Sequence, residues 1–377
     1  MFGQQMLLIV VAWDLYRITK SALALGYTGL AQVLPVFLFT FVAGHVADRY
    51  DRRRTIVITQ SAAAVVGLGL ALVGEQRSVS LIYTCLFLIA TARAFQWPVT
   101  SSMLPQTVPM EQLTSAISWN GSARELATMA GPALAGLMIT AWGSEPVYFF
   151  QAVLSATAAL CFAQVKVPKL PEDKRSQPGL KGVIEGLQFV WREKVIFYAM
   201  TLDLLAVLFG GARALLPIYA QDILHGGARA LGWLEAAPAV GAGLMSLALA
   251  HFGTIRSAGR VILGSVIGFG VATVVFALSK NMLLSLAALF TLGAFDAISV
   301  VLRLSVVQIR TPDYLRGRVS SVNALFISSS NQWGAVESGV AATLMGVVPS
   351  VVFGGIMTIV VVIAVGWLSK DLREWTN

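Results

Sequence analysis

The sequence predicts an all-α integral membrane protein with twelve transmembrane helices, arranged as two six-helix halves. Composition, length and an internal repeat each support this fold. Of the 377 residues, 56% are hydrophobic and only 12% are charged, whereas a soluble domain has about 25% charged residues. A spanning helix needs roughly 20 apolar residues plus a loop, and twelve such units fit this length.

The first half, residues 1–165, contains six predicted spans. They cover about 2–18, 27–46, 55–73, 80–98, 113–142 and 147–165. A helix of about 17 residues reaches about 25 Å, which is less than a hydrocarbon core of roughly 30 Å. Because span 1 is this short, we expect the natural chain to begin upstream of Met1.

Residues 166–194 are predicted to form a cytoplasmic linker between the halves. The stretch 166–177 is charged and rich in proline, which is typical of a linker. From Leu180 to Trp191, apolar residues then recur at helical spacing between charged ones. This pattern indicates an amphipathic helix lying on the inner membrane surface.

The second half, residues 195–369, repeats the first, and residues 370–377 form a cytoplasmic tail. Its predicted spans cover about 195–220, 230–250, 261–278, 282–302, 319–345 and 350–368. One constant offset aligns Gly29 with Gly232, Pro35 with Pro238, Ala47 with Ala250, Pro109 with Pro312, Asn120 with Asn323, Gly131 with Gly334, and Gly136 with Gly339. A repeat of this kind predicts two parallel halves related by an axis along the membrane normal.

Most of the 27 Lys and Arg residues fall on the loops of one side, which predicts cytoplasmic N- and C-termini. Arg77 is assigned to an outer loop, and Arg303, which follows span 10, to an inner loop. The basic residues are interleaved with spans, so no nucleic-acid surface is expected. Two lone cysteines and three scattered histidines predict neither a disulfide nor a metal site.

The most charged stretch is Gly44-His45-Val46-Ala47-Asp48-Arg49-Tyr50-Asp51-Arg52-Arg53-Arg54, a tight loop between spans 2 and 3. Its order resembles the loop between helices 2 and 3 of major facilitator superfamily transporters, with Asp51 where glycine is usual. Residues 3–54 are similar to the enterobactin-exporter and macrolide-efflux branch. The resemblance implies a cytoplasmic gate formed by Gly44, Asp48, Arg49, Arg52 and Arg53. The simpler interpretation is a topology anchor.

Ionisable residues inside spans cost at least about 2.5 kcal/mol each on insertion scales, so they should face a partner or a wet cavity. The residues predicted to carry proton coupling or cavity charge are Arg93, Asp203, Glu235, Asp296 and Glu337. Arg93 and Gln96 resemble the superfamily motif that is linked to proton transfer, and Asp296 or Glu235 is the expected acid partner of Arg93. A static salt bridge is the alternative. For Asp14 and Arg17 the sequence leaves two interpretations open: a functional role inside the membrane, or side chains that extend to the outer membrane interface.

Span 5 carries Gly131-Pro132-Ala133-Leu134-Ala135-Gly136. Small residues let helices approach closely, and proline frees a backbone carbonyl. The run also resembles the Gly-Pro motif of drug/proton antiporters, on Gly131, Pro132 and Gly136, which favours export. A substrate cavity is predicted around Gln96, Trp97, Trp119 and Trp233.

The predicted function is proton-coupled export of a medium-sized amphipathic compound, such as a siderophore, macrolide or drug, by alternating access. An uptake symporter of the same fold and a non-transporting receptor or scaffold are the alternatives. No enzyme is predicted, and the energy source is a proton gradient rather than a cofactor, because no phosphate-binding loop is present. The chain is expected to be a monomer in the lipid of a bacterial inner membrane.

Overall fold

The computed structural model describes residues 1–165, 180–252 and 257–375, and all regular elements in these ranges are helices. The helices of the first half are α1 (Phe2–Thr19), α2 (Ala22–Arg49), α3 (Arg52–Val73), α4 (Val79–Thr107), α5 (Leu113–Trp142) and α6 (Glu145–Gln164). They are followed by α7 (Leu180–Arg192), α8 (Lys194–Phe209), α9 (Leu216–Ile218), α10 (Gly227–Phe252), α11 (Ala258–Leu278), α12 (Met282–Arg310), α13 (Arg316–Met345), α14 (Val347–Leu368) and α15 (Lys370–Arg373).

Within the described residues, nine segments are long and apolar enough to cross a membrane. They lie in α2, α3, α4, α6, α10, α11, α12 and α14 and in the stretch Lys194–Ile223, which begins with α8. Helices α1, α5 and α13 have 18, 30 and 30 residues but are more polar. The chain is therefore a multi-pass helical membrane protein.

Several predicted boundaries were wrong by a few residues or more. Helix α2 begins five residues before Tyr27, where the Ser21 side chain caps the N–H of Ala24. Helix α4 continues through Pro98 to Thr107, and α12 continues to Arg310. In the other direction, α8 ends at Phe209, and the chain continues as 3-10, α and π turns to Ile223.

Contacts divide the chain into two compact units, one of Met1–Ser176 with His225–Ala236 and one of Gln177–Leu224 with Ala237–Asn377. Matching glycines pack in matching ways inside them. A Cβ added to Gly131 in α5 would lie 2.8 Å from Gln5 Cβ of α1, and one added to Gly334 in α13 would lie 2.9 Å from the carbonyl of Val207 in α8. The repeat seen in the sequence thus corresponds to a repeated helix contact.

The predicted amphipathic helix exists as α7, and only part of its apolar face is exposed. Val190 is buried in the core of the second unit, and Gly186 lies against the backbone of Arg318 at the start of α13. Ile184, Leu187 and Trp191 remain exposed on one stripe. The linker residues 166–179 lie outside the described residues, and the domain limits drawn from the sequence remain predictions.

The chain end packs onto the second unit. Leu372 and Trp375 are buried, and the N–H of Gly259 in α11 donates to the carbonyl of Trp375 at 3.1 Å. The carbonyl of Leu372 lies where a side chain at Gly259 would project. Glycine at this position therefore lets the end of the chain lie directly against α11.

Candidate functional site

The first unit contains a cavity of about 390 Å³, lined by residues of α1, α3, α4, α5 and α6. Its lining is rich in amides and hydroxyl groups and includes two arginines, and none of the described lining residues is acidic. The long polar side chains that line it are Gln4, Gln5, Gln60, Arg93, Gln96, Arg124 and Gln151. The volume falls within the range of roughly 300–1,000 Å³ that is usual for small-molecule sites.

Arg93 extends from α4 towards α1 and faces this cavity. With the Gln4 amide oriented to satisfy both groups, Arg93 Nε and Nη1 donate to Gln4 Oε1 at 2.5 and 3.2 Å. Within the described part of the chain, no ion pair between Arg93 and a carboxylate is formed. An arginine stays protonated, so Arg93 places a positive charge at the cavity wall.

Arg124, on α5, is the second cavity arginine. Its guanidinium lies over the Trp97 ring, 5.2 Å from the centroid, in a cation–π contact. Thr128, one turn after Arg124 on α5, accepts a hydrogen bond from Gln5 Nε2 of α1 at 3.2 Å. Arg124 also lines the cavity.

Of the four residues predicted to form the substrate cavity, two line the cavity of the first unit and two do not. Gln96 and Trp97 line the cavity of the first unit. Trp119 is 75% exposed and Trp233 43% exposed, and neither belongs to the described lining. Side chains from α1, α3 and α6 complete the lining, and the polar ones among them are Gln4, Gln5, Thr59, Gln60, Gln151 and Ser155.

The second unit contains a buried charge cluster on α8 and α12. Arg303 Nη1 lies 2.5 Å from Asp203 Oδ1, and the Arg303 side chain is only 2% exposed. Asp296, two turns before Arg303 on α12, is partly buried and interacts electrostatically with both residues. Asp203, Asp296 and Ser299 line a cavity of about 10 Å³, which has room for about one water molecule.

Arg303 is the functional candidate that the sequence interpretation missed. Arg303 was assigned to an inner loop because the predicted span ended at Leu302. Helix α12 in fact continues to Arg310, and Arg303 is one of its buried residues. The cluster holds two carboxyl groups and one guanidinium, so its charges do not balance unless a proton or cation is bound. A signal was present in the sequence, since Asp296, Ser299 and Arg303 recur at spacings of three and four on one helix face.

The other two predicted acids lie apart from this cluster. Glu235 is buried in the part of α10 that belongs to the first unit. Glu337 in α13 is partly buried and lies 3.5 Å from Ser338 Oγ. Neither residue lines the small cavity beside Asp296, and the proposed pairing of Arg93 with Glu235 or Asp296 remains a prediction.

A second buried network joins α1, α6 and the turn before α4. Arg77 Nη2 lies 3.2 Å from Asp14 Oδ2 and 2.8 Å from Glu145 Oε1. Ser144 Oγ and Tyr148 OH donate to Asp14 at 2.5 and 3.1 Å. Arg77 lies in the loop between α3 and α4, as predicted, but its side chain is buried. Asp14 does not reach the interface, because it and Arg77 are both 1% exposed. These contacts indicate a structural role for Asp14.

The turn between α2 and α3 consists of Tyr50 and Asp51 alone, so most of the eleven-residue stretch predicted as a loop belongs to the two helices. Asp51 caps α3, since its side chain accepts from the N–H groups of Arg53 and Arg54 at 2.9 and 3.3 Å. The residue that departs from the family pattern therefore starts a helix. Asp48 lies in the last turn of α2, and its side chain is outside the described part of the structure.

Three of the other predicted gate residues, Gly44, Arg49 and Arg53, show no tight packing among the described atoms. Arg49 and Arg53 are exposed. A Cβ added to Gly44 would meet no described atom within 4 Å. This conformation therefore gives Gly44 no steric reason to be glycine.

The motif on α5 forms close backbone contacts. Beyond Gly131, which packs on α1, a Cβ at Gly136 would lie 2.5 Å from the carbonyl of Ala228 and 2.9 Å from Gly232 Cα in α10. Pro132 lies inside the helix, and its carbonyl lies 2.7 Å from the Cβ position of Gly232. Packing of α5 on its neighbours is thus a definite role of Gly131, Pro132 and Gly136.

No group of three or more His, Cys, Asp or Glu side chains with a metal-binding arrangement occurs among the described residues. The buried charge clusters of both units combine an arginine with two carboxyl groups, which are suited to binding ions, protons or polar solutes. Among the described residues of these clusters, none is arranged as a nucleophile with its base.

Apolar helices in two repeated units, each with a cavity bordered by charged side chains, are features of membrane transporters. The family model for the Major Facilitator Superfamily matches residues 1–335, so the chain belongs to this superfamily. It is a multi-pass transporter of small molecules and not an enzyme.

Its relatives are efflux proteins and transporters of bacteria. Macrolide efflux protein A of Streptococcus pyogenes is 25% identical over 87% of this chain and 83% of its own length. The staphyloferrin A transporter of Staphylococcus aureus is 24% identical over 96% and 91%. The multidrug efflux pump Tap of Mycolicibacterium fortuitum is 26% identical over 91% and 87%. The predicted superfamily membership and its macrolide-efflux relationship are confirmed.

Solved structures support the fold. A bacterial homolog of the human lysosomal transporter Spinster, inward-facing and unoccupied, superposes with a TM-score of 0.76 at 13% identity, covering 99% of this chain and 97% of that one. The nucleoside transporter NupG gives a TM-score of 0.70 at 13% identity, covering 98% of each chain. At this identity the likeness concerns the fold alone.

Proposed function

We propose that the protein exports a medium-sized amphipathic compound in exchange for protons. The relatives named as macrolide and multidrug efflux proteins support the direction. The proposal adds α1, α5 and α13 to the nine apolar segments to make twelve spanning helices, because each is at least 18 residues long and contacts spanning helices.

The observation that carries the proton coupling is the cluster of Asp203, Arg303 and Asp296. Arg303 is paired with Asp203 at 2.5 Å, which leaves Asp296 as the surplus acid in a poorly hydrated site. An uncompensated charge in such a site is costly. Asp296 is therefore the group that takes up a proton in one state and releases it in another, with no cofactor involved.

The gate at the α2–α3 turn completes the mechanism. Asp48 and the arginines Arg49, Arg52 and Arg53 stabilise one state by contacts between cytoplasmic helix ends, and proton exchange at Asp296 shifts the balance between states. Excess basic residues on the same side orient the protein with both termini in the cytoplasm. The protein acts as a monomer in a bacterial inner membrane.

The test uses inverted membrane vesicles energised by a proton gradient, in which export appears as uptake. A panel of dyes, macrolides and siderophores is offered to vesicles with the wild type, Asp296→Asn or the matched control Asp313→Asn. Asp313 is an acid at the start of the α12–α13 turn with an 86% exposed side chain. Export coupled to protons predicts accumulation that an uncoupler and Asp296→Asn abolish and that Asp313→Asn retains.

Other outcomes would decide against parts of the proposal. Accumulation only when the gradient is reversed identifies an uptake symporter. Undiminished uptake by Asp296→Asn removes this residue from coupling. No accumulation of any compound, together with normal phenotypes of Asp48→Asn and Arg93→Gln, favours a receptor or scaffold.

A further inference from the structure

We infer that the cavity of the first unit binds the anionic part of its substrate, and that the transported compound carries a carboxylate. This rests on the proposed function, since it assigns a substrate class to the same transporter. The carrying observation is a cavity that contains Arg93 and Arg124 and no described acidic residue.

Charge balance is the first argument. Arginines remain protonated under all physiological conditions, so Arg93 and Arg124 place two positive charges on the wall of a cavity that has no described acidic lining residue. Neither Arg93 nor Arg124 forms an ion pair with a described carboxylate; their recorded contacts are with the Gln4 amide and the Trp97 ring. An anionic ligand would supply the missing counter-charge.

The donors of the two arginines provide the second argument. Gln4 accepts from Nε and Nη1 of Arg93, which leaves three of the five donor hydrogens of the guanidinium, one on Nη1 and two on Nη2. Arg124 lies over the Trp97 ring and lines the cavity, and a guanidinium can bind a carboxylate in a two-point manner. The Gln4 contact also fixes the orientation of the Arg93 guanidinium before a ligand arrives.

The remaining lining favours an organic anion over a simple ion. Trp97 is 59% exposed and offers an aromatic surface next to the Arg124 guanidinium. Gln60 and Gln96 add amide groups that can donate or accept. A volume of about 390 Å³ exceeds the roughly 30 Å³ share of one water molecule by far. The site therefore fits an amphipathic carboxylate.

The experiment measures binding of two dyes with the same xanthene ring to the full-length purified protein in nanodiscs, by fluorescence anisotropy. Carboxyfluorescein is anionic, and rhodamine 6G is a cationic ester. The variants are Arg93→Gln/Arg124→Gln and Arg93→Lys/Arg124→Lys. Arg229→Gln is the matched control, because it removes an exposed arginine of α10 from the same unit outside the cavity.

Wild type should bind carboxyfluorescein more tightly than rhodamine 6G. The double glutamine variant should lose about tenfold or more of the affinity for carboxyfluorescein, and the double lysine variant should lie between the two. Rhodamine 6G should bind the glutamine variant as well as, or better than, the wild type. Arg229→Gln should match the wild type with both dyes.

A preference of the wild type for rhodamine 6G would overturn the inference, as would unchanged carboxyfluorescein affinity in the folded double glutamine variant. If that variant does not fold, salt dependence decides: wild-type affinity for carboxyfluorescein must fall as salt rises, and a salt-independent affinity contradicts the inference.

Transport measurements distinguish failure of this inference from failure of the proposed proton-coupled export. Arginine-dependent binding of carboxyfluorescein without gradient-driven uptake in inverted vesicles supports the anion site and contradicts the antiport mechanism. Gradient-driven uptake of rhodamine 6G, combined with no binding of carboxyfluorescein, supports the antiport mechanism and contradicts the anion site.

Discussion

Helices α4 and α12 occupy the same place in the two repeated halves, but their charges are used in opposite ways. Arg93 of α4 faces an open cavity of about 390 Å³ and donates to the Gln4 amide. The position equivalent to it in α12 is Asp296, beside the buried pair of Arg303 and Asp203. One backbone plan thus carries a solvated positive site and an enclosed, acid-rich site.

The difference suggests a division of work between the halves. A charge that faces a wet cavity keeps much of its hydration and can exchange water for a ligand. A charge enclosed by helices needs its partner at all times, and a surplus acid there is balanced most simply by a proton. Gene duplication preserves helix packing through glycines such as Gly131 and Gly334, while the charges are free to diverge.

The largest effect should come from removing one partner of the enclosed pair. Arg303→Gln leaves Asp203 without its guanidinium, and we expect the free energy of unfolding to fall by about 3–5 kcal/mol. The matched substitution Arg93→Gln, at the open cavity, should change it by about 0.5 kcal/mol or less. Unfolding of both variants in mixed micelles measures the difference. Equal losses of unfolding free energy would contradict the view that only Arg303 is part of a buried ion pair.

A somewhat smaller effect should distinguish the two acids of the cluster. Asp203→Asn replaces a charge-assisted contact with a neutral one, and about 1.5–3 kcal/mol of stability should be lost. Asp296→Asn removes the surplus acid, keeps the pair, and should unfold like the wild type.

Transport should show the reverse order for the same two variants. Asp296→Asn should still exchange substrate across the membrane without a gradient and lose gradient-driven accumulation. If Asp296→Asn proves less stable than Asp203→Asn, then Asp296 rather than Asp203 is the acid that pairs with Arg303.

The α2–α3 turn lies outside both regions and provides a baseline. Asp51→Ala removes the cap of α3, at an expected cost of about 1 kcal/mol, while the transport rate should stay near that of the wild type. The conservative variant Asp51→Asn, which can still cap, should restore the stability. Loss of transport in Asp51→Asn at full stability would assign the carboxylate to the gate itself.

The smallest expected change in stability is that of Gly44→Ala. Because a Cβ at Gly44 meets no described atom within 4 Å, alanine should be neutral or stabilise α2 by about 0.5–1 kcal/mol. Gly69→Ala in α3 is the matched control, since its Cβ also meets no described atom. A gate that closes against Gly44 predicts slower transport for Gly44→Ala and not for Gly69→Ala. Equal rates would leave Gly44 without a role in gating.

Much of the fold could be predicted because bilayer thickness and the helical period impose strong patterns on the sequence. The apolar spans, the short charged turn and the amphipathic α7 all follow from local composition. Helix ends were predicted less well, as in α4 and α8, because whether a proline or glycine ends a helix depends on the residues that pack around it. Gly210 lies against the Phe269 ring and the carbonyl of Ala206 at the break after α8.

The candidate site was predicted in part. Arg93, Gln96 and Asp296 were found because charged and amide residues stand out in an apolar helix. Arg303 was assigned to a loop, and the burial of Arg77 within its loop was not predicted, since an arginine near a helix end looks the same whether it faces water or a buried carboxylate. Their partners Asp14 and Asp203 are distant in sequence, so no spacing links them.

The sequence by itself determined that this chain is a repeated helical membrane transporter, because hydropathy, glycine positions and the charged turn are local properties. The tertiary structure alone decided which charges are paired and which face a cavity. That decision depends on contacts across helices, such as Asp203 with Arg303, where burial raises the energy of an unpaired charge and so selects the partner.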